Sequence, residues 1–310
     1  MKNIILRLIF VLLLALFNSC GDEALTEPDA ELPSVISFID FNTTDTEPEW
    51  SPDGKWIAFI HSELAQGKSG IYLISPDGQK IQQWHEGFAQ TPAWSPDGQG
   101  IAFSENAQIW KKKINGDSLT QLTFEGRNFF PAWSPDGNLI AHSQSICTHI
   151  SCGLWLINLD DSTHLPIVTY GLQPEFRPVN NTILYQKRWV DNSEVYGDSL
   201  FYYDHKIGRS TFLMTLQGLN HTNKYFKINS DGSKIAFTSK SRYGPSIQIW
   251  TMNSDGSDLK QLTHTLGYTC DWSLDGDYIV YTDARRENGR LWIMDADGSN
   301  KRQFTFEHHF

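Results

Sequence analysis

Apolar and polar residues alternate along most of the chain in short segments separated by Gly, Pro and Asp, a pattern that predicts strands joined by tight turns. The sequence Trp-Ser-Pro-Asp-Gly recurs, once with a substitution, and its copies begin at Trp50, Trp94, Trp133 and Trp272. An apolar segment such as Ile57-Ala-Phe follows each copy at the same offset. Pro presets φ near −65° and Gly tolerates positive φ, so the five residues are expected to reverse the chain between two strands.

The repeat continues through the rest of the chain in a less regular form. Segments beginning at Phe176 and Ile228 keep the same offsets, so that six repeats begin at positions 50, 94, 133, 176, 228 and 272. Each repeat contains four short strands, which we letter a to d, and a spacing of about 40 to 50 residues is typical of propeller blades. The predicted fold is therefore an all-β, six-bladed β-propeller of four-stranded antiparallel blades, extending over residues 35–310.

The repeat also has a family resemblance. The Trp-Ser-Pro-Asp-Gly turns and the Gln-Leu-Thr segments at Gln121–Thr123 and Gln261–Thr263 resemble the TolB-type, WD40-like repeats of bacterial envelope proteins. The resemblance implies a propeller with a central channel that binds partner proteins and has no catalytic centre. Residues before the first repeat do not match the α/β domain of TolB, and some propellers of this kind are sugar lyases or parts of peptidases. We therefore expect the fold and general role, not a specific partner, to carry over.

The first residues predict export and attachment to a membrane. Lys2 and Arg7 precede or flank an apolar run over Leu8–Phe17, which is shorter than the ~20 residues of a membrane span and is typical of a signal peptide. Leu16–Cys20 resembles the bacterial lipobox, which implies cleavage after residue 19 and lipid on Cys20. Residues 20–34 are acidic and contain two prolines, so they are predicted to form a flexible tether. We expect a protein of the cell envelope, anchored by lipid to the outer membrane and facing the periplasm or the cell surface.

Charge and composition narrow the classes of partner. The 310 residues include 25 Lys and Arg against 36 Asp and Glu, which gives a formal net charge of −11. A surface of this sign repels phosphate polymers, so we expect no nucleic-acid partner. With 40% hydrophobic residues the chain has enough apolar material for a folded core.

The order of the strands predicts where binding takes place. In an up-and-down blade the a–b and c–d turns share one face, here called the turn face, and the b–c loops and d–a links share the other, the loop face. The loop face varies most between repeats and contains aromatic and Arg residues, as binding surfaces do. Candidate binding residues on this face are Arg127, Phe129, Phe130, Gln173, Trp189, Tyr225 and Tyr268.

A second group of candidates is predicted to face the channel. The residue before the strand-a aromatic position is charged in four repeats, at Glu49, Glu175, Lys227 and Asp271. Two interpretations are open: the group holds a cation or a basic side chain, or it is a structural ring in which Lys227 offsets part of the negative charge.

Cys147 and Cys152 lie between strands b and c of the third repeat. Antiparallel neighbours at a hairpin mouth can meet disulfide geometry in an oxidising compartment, which favours a disulfide over a metal site with His149. The Asp-Gly turns lack the Glu that a calcium loop needs. We expect neither a metal nor another cofactor.

These patterns support two functions. The first is a non-catalytic, lipid-anchored protein that binds a protein or peptide through the loop face and channel mouth. The alternative is a glycan-active enzyme, a lyase-like propeller that would use His221, His264 and the channel carboxylates. Catalysis would require an acid and a base within hydrogen-bond reach of one point.

Overall fold

The computed structural model describes residues 43–63, 67–144, 152–191, 194–215, 225–240, 247–283 and 289–306, with the backbone alone for 188–191, 194–198 and 240. All regular structure in these residues is β-strand, arranged as six sheets of four consecutive strands. The predicted all-β, six-bladed propeller is therefore confirmed. Residues 40–310 form one compact unit. No helix in the described part of the chain is long and apolar enough to cross a bilayer.

Each blade has four antiparallel strands in chain order. Blades 1 to 3 comprise β1 (Thr43–Trp50), β2 (Ile57–Glu63), β3 (Lys68–Ile74), β4 (Ile81–Glu86), β5 (Gln90–Trp94), β6 (Gly100–Glu105), β7 (Gln108–Lys113), β8 (Thr120–Gln121), β9 (Asn128–Trp133), β10 (Leu139–Gln144), β11 (Gly153–Asn158) and β12 (His164–Thr169). Blades 4 to 6 comprise β13 (Gly171–Phe176), β14 (Ile183–Asp191), β15 (Glu194–Asp204), β16 (Arg209–Thr215), β17 (Phe226–Ile228), β18 (Lys234–Lys240), β19 (Ile247–Asn253), β20 (Lys260–Gln261), β21 (Gly267–Trp272), β22 (Tyr278–Asp283), β23 (Arg290–Asp295) and β24 (Arg302–Gln303).

The Trp-Ser-Pro-Asp-Gly sequences form the a–b turns, as predicted from their composition. In blade 1 the Ser51 hydroxyl donates to Asp53 Oδ1 at 2.7 Å and accepts from the Trp56 amide at 2.9 Å. Gly54 closes the turn at φ +70°, a conformation that a residue with a Cβ adopts only at a cost. The same serine-to-aspartate bond recurs at 2.5 to 2.6 Å in blades 2, 3 and 6, so each turn is held by its own side chains.

The tryptophans that precede these turns join neighbouring blades. The indole Nε1 of Trp94 donates to the Glu49 carbonyl at 3.1 Å, Trp133 to Ala93 at 3.1 Å and Trp272 to Lys227 at 3.2 Å. Each bond runs from strand a of one blade to strand a of the preceding blade. Because the rings also pack into the cores between blades, these residues fix both the spacing and the tilt of adjacent sheets.

Strand a of every blade contacts strand a of both neighbours, so the six inner strands surround a central channel. The first and last blades close the ring without a shared strand: apolar side chains of both blades pack in one core, and the Asp45 amide donates to the Gly289 carbonyl at 2.8 Å. Asp45 of β1 is fully buried and accepts from His61 Nδ1 at 2.7 Å and from Thr305 Oγ1 at 2.6 Å. Arg290 of β23 donates to the Thr43 carbonyl at 3.0 Å. Closure therefore combines an apolar core with a small buried polar cluster and does not involve a mixed blade.

Candidate functional site

The inner strands are interrupted at the same place in four blades. Each has an irregular register beside a residue that precedes proline and adopts a left-handed conformation: Glu47 (φ 54°), Thr91 (φ 50°), Phe130 (φ 57°) and Gln173 (φ 53°). Positive φ is costly for residues with a Cβ, and a following proline restricts the backbone further. Strain of this kind persists only where the surrounding structure enforces it, and it often occurs at binding sites.

These residues belong to a layer that we call the mouth ring, which lies three positions before the strand-a aromatic position. Its members are Glu47, Thr91, Phe130, Gln173, Tyr225 and Thr269. Around part of this ring, the backbone amide of one member donates a hydrogen bond to the side chain of the member in the preceding blade. The Glu47 amide donates to Thr269 Oγ1 at 3.1 Å, the Thr91 amide to Glu47 Oε2 at 2.5 Å and the Phe130 amide to Thr91 Oγ1 at 3.3 Å. The ring therefore connects blades 6, 1, 2 and 3.

The Glu47 carboxylate also links two blades that are not neighbours in the ring. Its second oxygen accepts from the Tyr225 hydroxyl at 2.9 Å, and Tyr225 is in blade 5. Desolvation raises the pKa of Glu47, while the hydrogen bonds from Thr91 and Tyr225 oppose that shift. Desolvation and the Glu47 carboxylate raise the pKa of Tyr225, so the phenol stays protonated and donates. Both carboxylate oxygens are thus occupied within the protein.

A cleft of about 410 Å³, here called the mouth cleft, opens beside this ring on the loop face. It is lined by Glu47, Gln90, Thr91, Phe129, Phe130, Ser143, Leu172, Gln173, Gln186 and Tyr225. Its aromatic wall is formed by Phe129 and by the edge-to-face pair of Phe130 and Tyr225, whose ring centroids are 5.7 Å apart. The volume lies in the range of small-ligand sites, about 300 to 1,000 Å³. The cleft therefore combines apolar rings with neutral polar groups.

Between the aromatic residues of blades 3 and 5, the cleft is lined by two glutamines of blade 4. Gln173 is 7% exposed and Gln186 is 2% exposed. Gln173 Oε1 and Gln186 Nε2 have no hydrogen-bond partner among the described residues. The backbone of Gln173 is held in place, since its amide donates to Ser143 Oγ at 2.8 Å. Buried amide atoms of this kind are costly in a folded protein, and they normally find a partner.

Deeper in the channel lies the throat cluster, formed by Glu49, Glu175, Lys227 and Asp271. Lys227 Nζ lies 2.5 Å from Glu49 Oε2 and 3.5 Å from Glu175 Oε2. Asp271 Oδ2 accepts from the Trp50 amide at 2.6 Å. The channel here encloses only about 50 Å³, room for one or two water molecules. These contacts favour the structural interpretation of the cluster over the capture of a basic side chain.

Desolvation also dominates the protonation of the throat cluster. It raises the pKa of Glu49 and that of Asp271, and it raises the pKa of Glu175 to about 7 against an ordinary value of 4.5. Burial alone would lower the pKa of Lys227, but the surrounding carboxylates raise it above its ordinary value. The Lys227 ammonium therefore keeps its charge, whereas the carboxylates near it are the groups that change protonation state.

The residues predicted from sequence are distributed as follows. Phe129, Phe130, Gln173 and Tyr225 lie together in the mouth cleft, and the four predicted channel residues meet in the throat cluster. Arg127 is exposed in the link before β9, with its guanidinium 5.8 Å from the Phe129 ring, and Tyr268 is exposed in β21. Neither is among the residues that line the mouth cleft.

Three predictions fall wholly or partly outside the described residues. The backbone of Trp189 pairs with Gly197 in an extended β14–β15 hairpin, but its side chain is outside them. Cys20 and Cys147 are also outside, and Cys152 is buried before β11. The lipid anchor and the disulfide therefore stay predictions.

Sequence reasoning missed Glu47, Thr91, Ser143 and Gln186. A signal for the first two was present, because both occupy the position before a proline that recurs in the first four repeats. Nothing in the repeat pattern distinguishes Ser143 or Gln186 from other polar residues at the loop ends of strand b.

The histidines considered for catalysis, His221 and His264, are not among the described residues that line the mouth cleft. His264 is exposed, and its Nδ1 lies 3.1 Å from Gln261 Nε2. His221 lies outside the described residues. Within the residues that the structure describes, no group of three or more His, Cys, Asp or Glu side chains is arranged to hold a metal ion.

Comparisons with known proteins agree on the fold. The family model of the TolB beta propeller domain matches residues 34–200. The TolB of Acinetobacter baumannii is 18% identical with a TM-score of 0.63, and the match covers 84% of this chain and 63% of that protein. An oligogalacturonate lyase in complex with manganese is 14% identical with a TM-score of 0.58 over 84% of this chain and 77% of the lyase.

A third similar structure comes from a nidogen/laminin complex. It is 12% identical with a TM-score of 0.62, over 78% of this chain and 92% of that one. At these identities the likeness shows the fold alone. A search of curated proteins found no match.

Proposed function

The chain belongs to the TolB beta-propeller domain family, and from that premise we propose that it is a non-catalytic, lipid-anchored envelope protein. It binds a protein or peptide partner through the loop face and the mouth cleft. The partner belongs to the envelope, and the membrane is reached through lipid on Cys20 rather than through a spanning helix.

The mouth cleft is the observation that carries this proposal. Its aromatic wall of Phe129, Phe130 and Tyr225 offers rigid apolar surface, and Gln173 and Gln186 offer polar contacts. A few aromatic anchors in a desolvated pocket supply most of the free energy of a typical protein interface. The scaffold beneath the cleft is rigid, since the mouth ring is hydrogen-bonded between blades. A partner would therefore meet a preformed surface.

The charged groups of the channel support binding over catalysis. A glycan-active enzyme needs an acid and a base directed at one substrate atom. The Glu47 carboxylate is held by the Thr91 amide and the Tyr225 hydroxyl, and Glu49 and Glu175 are held by Lys227. Turnover of an oligosaccharide that is lost in a folded Glu175→Gln variant would favour the enzyme alternative instead.

Capture of the partner tests the proposal. Phe129→Ser combined with Phe130→Asn removes the aromatic wall, and Asn suits the left-handed conformation at position 130. After cross-linking of intact cells, this variant is expected to retain less than about a tenth of the partner that the wild type retains. Ile207→Ser is the control, because Ile207 is 70% exposed on a c–d turn of the turn face. Equal capture by all three proteins would contradict the proposal.

The anchor is tested separately. Cys20→Ser is expected to move the protein from the membrane fraction to the soluble fraction, and mass spectrometry of the wild type should show an acylated N-terminus at Cys20. An unmodified mature N-terminus at another residue would show that this part of the proposal is wrong.

A further inference from the structure

The junction between blades 2 and 3 is packed less fully than the other junctions of the ring. Among the described residues its apolar core contains three buried side chains, whereas the core at each of the other five junctions contains seven or eight. On the turn face this junction opens into a cavity of about 520 Å³, here called the junction cavity. A volume of this size is typical of small-ligand sites.

Two departures from the repeat leave this space open. At the junction of blades 1 and 2, Trp56 and Leu73 pack in the apolar core. The corresponding residues of blade 2 are Gly100, which has no side chain, and Lys111, and both line the junction cavity. The position of Lys111 holds an uncharged residue in every other blade, at Leu73, Leu156, Tyr202, Thr251 and Ile293. The side chains that fill the other junctions are therefore missing here.

Blade 2 has three consecutive lysines at this end of β7. The ammonium of Lys112 is directed toward blade 1, where it donates to the Trp84 carbonyl at 2.8 Å and lies 4.8 Å from the centre of the Trp84 ring. Lys111 and Lys113 line the junction cavity, and neither side chain has an ion-pair or hydrogen-bond partner within the described part of the chain. Two positive charges without a protein partner favour a ligand that carries an anionic group.

Trp133 supplies the apolar surface of the junction cavity. Its indole Nε1 donates to the Ala93 carbonyl at 3.1 Å, which fixes the orientation of the ring. Trp133 is only half-buried, whereas Trp94 and Trp272 at the same position of the repeat are 7% and 4% exposed. The negative face of an aromatic ring attracts the weakly positive C–H groups of a sugar ring. An inorganic anion gains nothing from this surface.

Two turn aspartates complete the lining of the junction cavity. Asp97 and Asp136 accept from the Ser95 and Ser134 hydroxyls through Oδ1, at 2.6 and 2.5 Å. These hydrogen bonds lower the pKa of both aspartates, so each is ionised at neutral pH. Both aspartates are exposed, and the second oxygen of each accepts no hydrogen bond from the described residues. A ligand with hydroxyl groups can donate to these oxygens, whereas they repel a bare anion.

We propose that the junction cavity binds an acidic sugar, a pyranose ring that carries a carboxylate. The sugar ring packs on Trp133, its carboxylate pairs with Lys111 and Lys113, and its hydroxyl groups donate to Asp97 and Asp136. The junction cavity lies on the turn face and the mouth cleft on the loop face, so this inference does not depend on the proposed function.

The probe for this inference is methyl β-D-glucuronide. Its affinity for the full chain is measured by NMR titration, beside methyl β-D-glucoside, which lacks the carboxylate, and inorganic phosphate, which lacks the sugar ring. The glucuronide is expected to bind at least about tenfold more tightly than either, because it alone combines a hydrogen-bonded charge with a surface that packs on the indole.

The first variant, Lys111→Leu, restores the residue that is buried as Leu73 in blade 1. It is expected to weaken binding of the glucuronide at least about tenfold while the melting temperature stays equal or rises. The second variant, Gly100→Leu, keeps both lysines but fills the cavity as Leu139 does in blade 3, and it should weaken binding to a similar extent. The matched control is Lys80→Leu, because Lys80 is exposed on the c–d turn of blade 1 and lies outside the cavity. It removes the same charge and should leave the affinity unchanged.

Several results would overturn the inference. They are the lack of saturable binding of the glucuronide, equal affinity for the glucoside or for phosphate, unchanged affinity in Lys111→Leu, or an equal loss of affinity in Lys80→Leu. The proposed function fails on a different result, since it requires capture of a cross-linked partner at the mouth cleft. Lys111→Leu leaves that cleft intact and is expected to capture the partner as the wild type does.

Discussion

At the residue scale, blade 3 carries an imidazole where three other blades have a phenyl ring. His142 of β10 occupies the position of Phe59, Phe103 and Phe237, all of which are almost fully buried. His142 is 1% exposed, and neither ring nitrogen has a partner within hydrogen-bond geometry in the described residues. Burial lowers the pKa of His142 to about 4. The neutral ring is therefore the form that the folded protein holds.

This position predicts a loss of stability in acid. Between pH 6.5 and about 4 the unfolded chain binds a proton at His142 that the folded chain does not, so stability falls as the pH falls through this range. His142→Phe removes that dependence. The free energy of unfolding of the variant, taken relative to wild type, should therefore be about 2 kcal/mol higher at pH 5 than at pH 7.5. Urea unfolding at the two pH values measures the difference, in which any effect of the larger ring cancels. An equal effect of the substitution at both pH values would show that His142 does not titrate in this way.

Glu175 in the throat cluster makes stability depend on pH in the opposite direction. Its pKa is raised from 4.5 to about 7, so the folded protein binds the extra proton and stability falls as the pH rises between these values. Glu175→Gln should remove up to about 3 kcal/mol of this fall, because the neutral amide does not titrate. Denaturant unfolding from pH 4.5 to 7.5 provides the measurement, with the exposed Glu125→Gln as the control. Parallel curves for wild type and Glu175→Gln would contradict the assignment.

At the scale of the strands, the tryptophan before each turn joins one blade to the next. Trp94 is 7% exposed, packs in the core between blades 1 and 2 and donates to the Glu49 carbonyl. Trp94→Ala should lower the free energy of unfolding by about 3 to 5 kcal/mol. Leu119→Ala is the control at a half-exposed c–d turn, where a change within about 0.5 kcal/mol is expected. Similar losses in both variants would show that Trp94 does not hold the blades together.

The strands also show how far the sequence was informative. The turns and strands of all six blades could be predicted because a repeated turn sequence and a strand period appear together, even in the degenerate copies at Phe176 and Ile228. The throat cluster could also be predicted from the sequence, since its four residues share one offset in the repeat. Phe130, Gln173 and Tyr225 of the mouth ring were predicted as binding residues, but the backbone conformation of the ring was not, because a left-handed residue before proline contradicts local preference and is imposed by contacts between blades. The orphaned amides of Gln173 and Gln186 depend on tertiary surroundings that no local pattern encodes.

At the scale of the whole molecule, the ring of blades is closed at the junction between blade 6 and blade 1. Asp45 is fully buried and joins β1 to Thr305 in the last blade, with Arg290 at 3.7 Å. Removal of one partner from a buried charged pair typically costs about 3 to 5 kcal/mol. Asp45→Ala should therefore destabilise the protein by this amount and should first increase hydrogen exchange in β1 and β23.

The matched control for the closure is Asn128→Ala. Asn128 is fully buried at the corresponding position of blade 3, where it contacts Gln108 and Glu125 within the loop face. Its loss should increase exchange locally, in β7 and β9. Uniform exchange changes around the ring in Asp45→Ala would show that the first and last blades are not the weak junction.

The central claim is that a partner binds at the mouth cleft of this propeller. The most direct measurement places a photo-crosslinking amino acid at position 130, in the cleft, or at position 207, on the turn face, in the full lipid-anchored protein in living cells. Irradiation at position 130 is expected to give one discrete adduct with an envelope protein, which weakens when Phe129 is replaced by Ser and is missing at position 207. Adducts of equal yield at both positions, or none at position 130, would contradict the account.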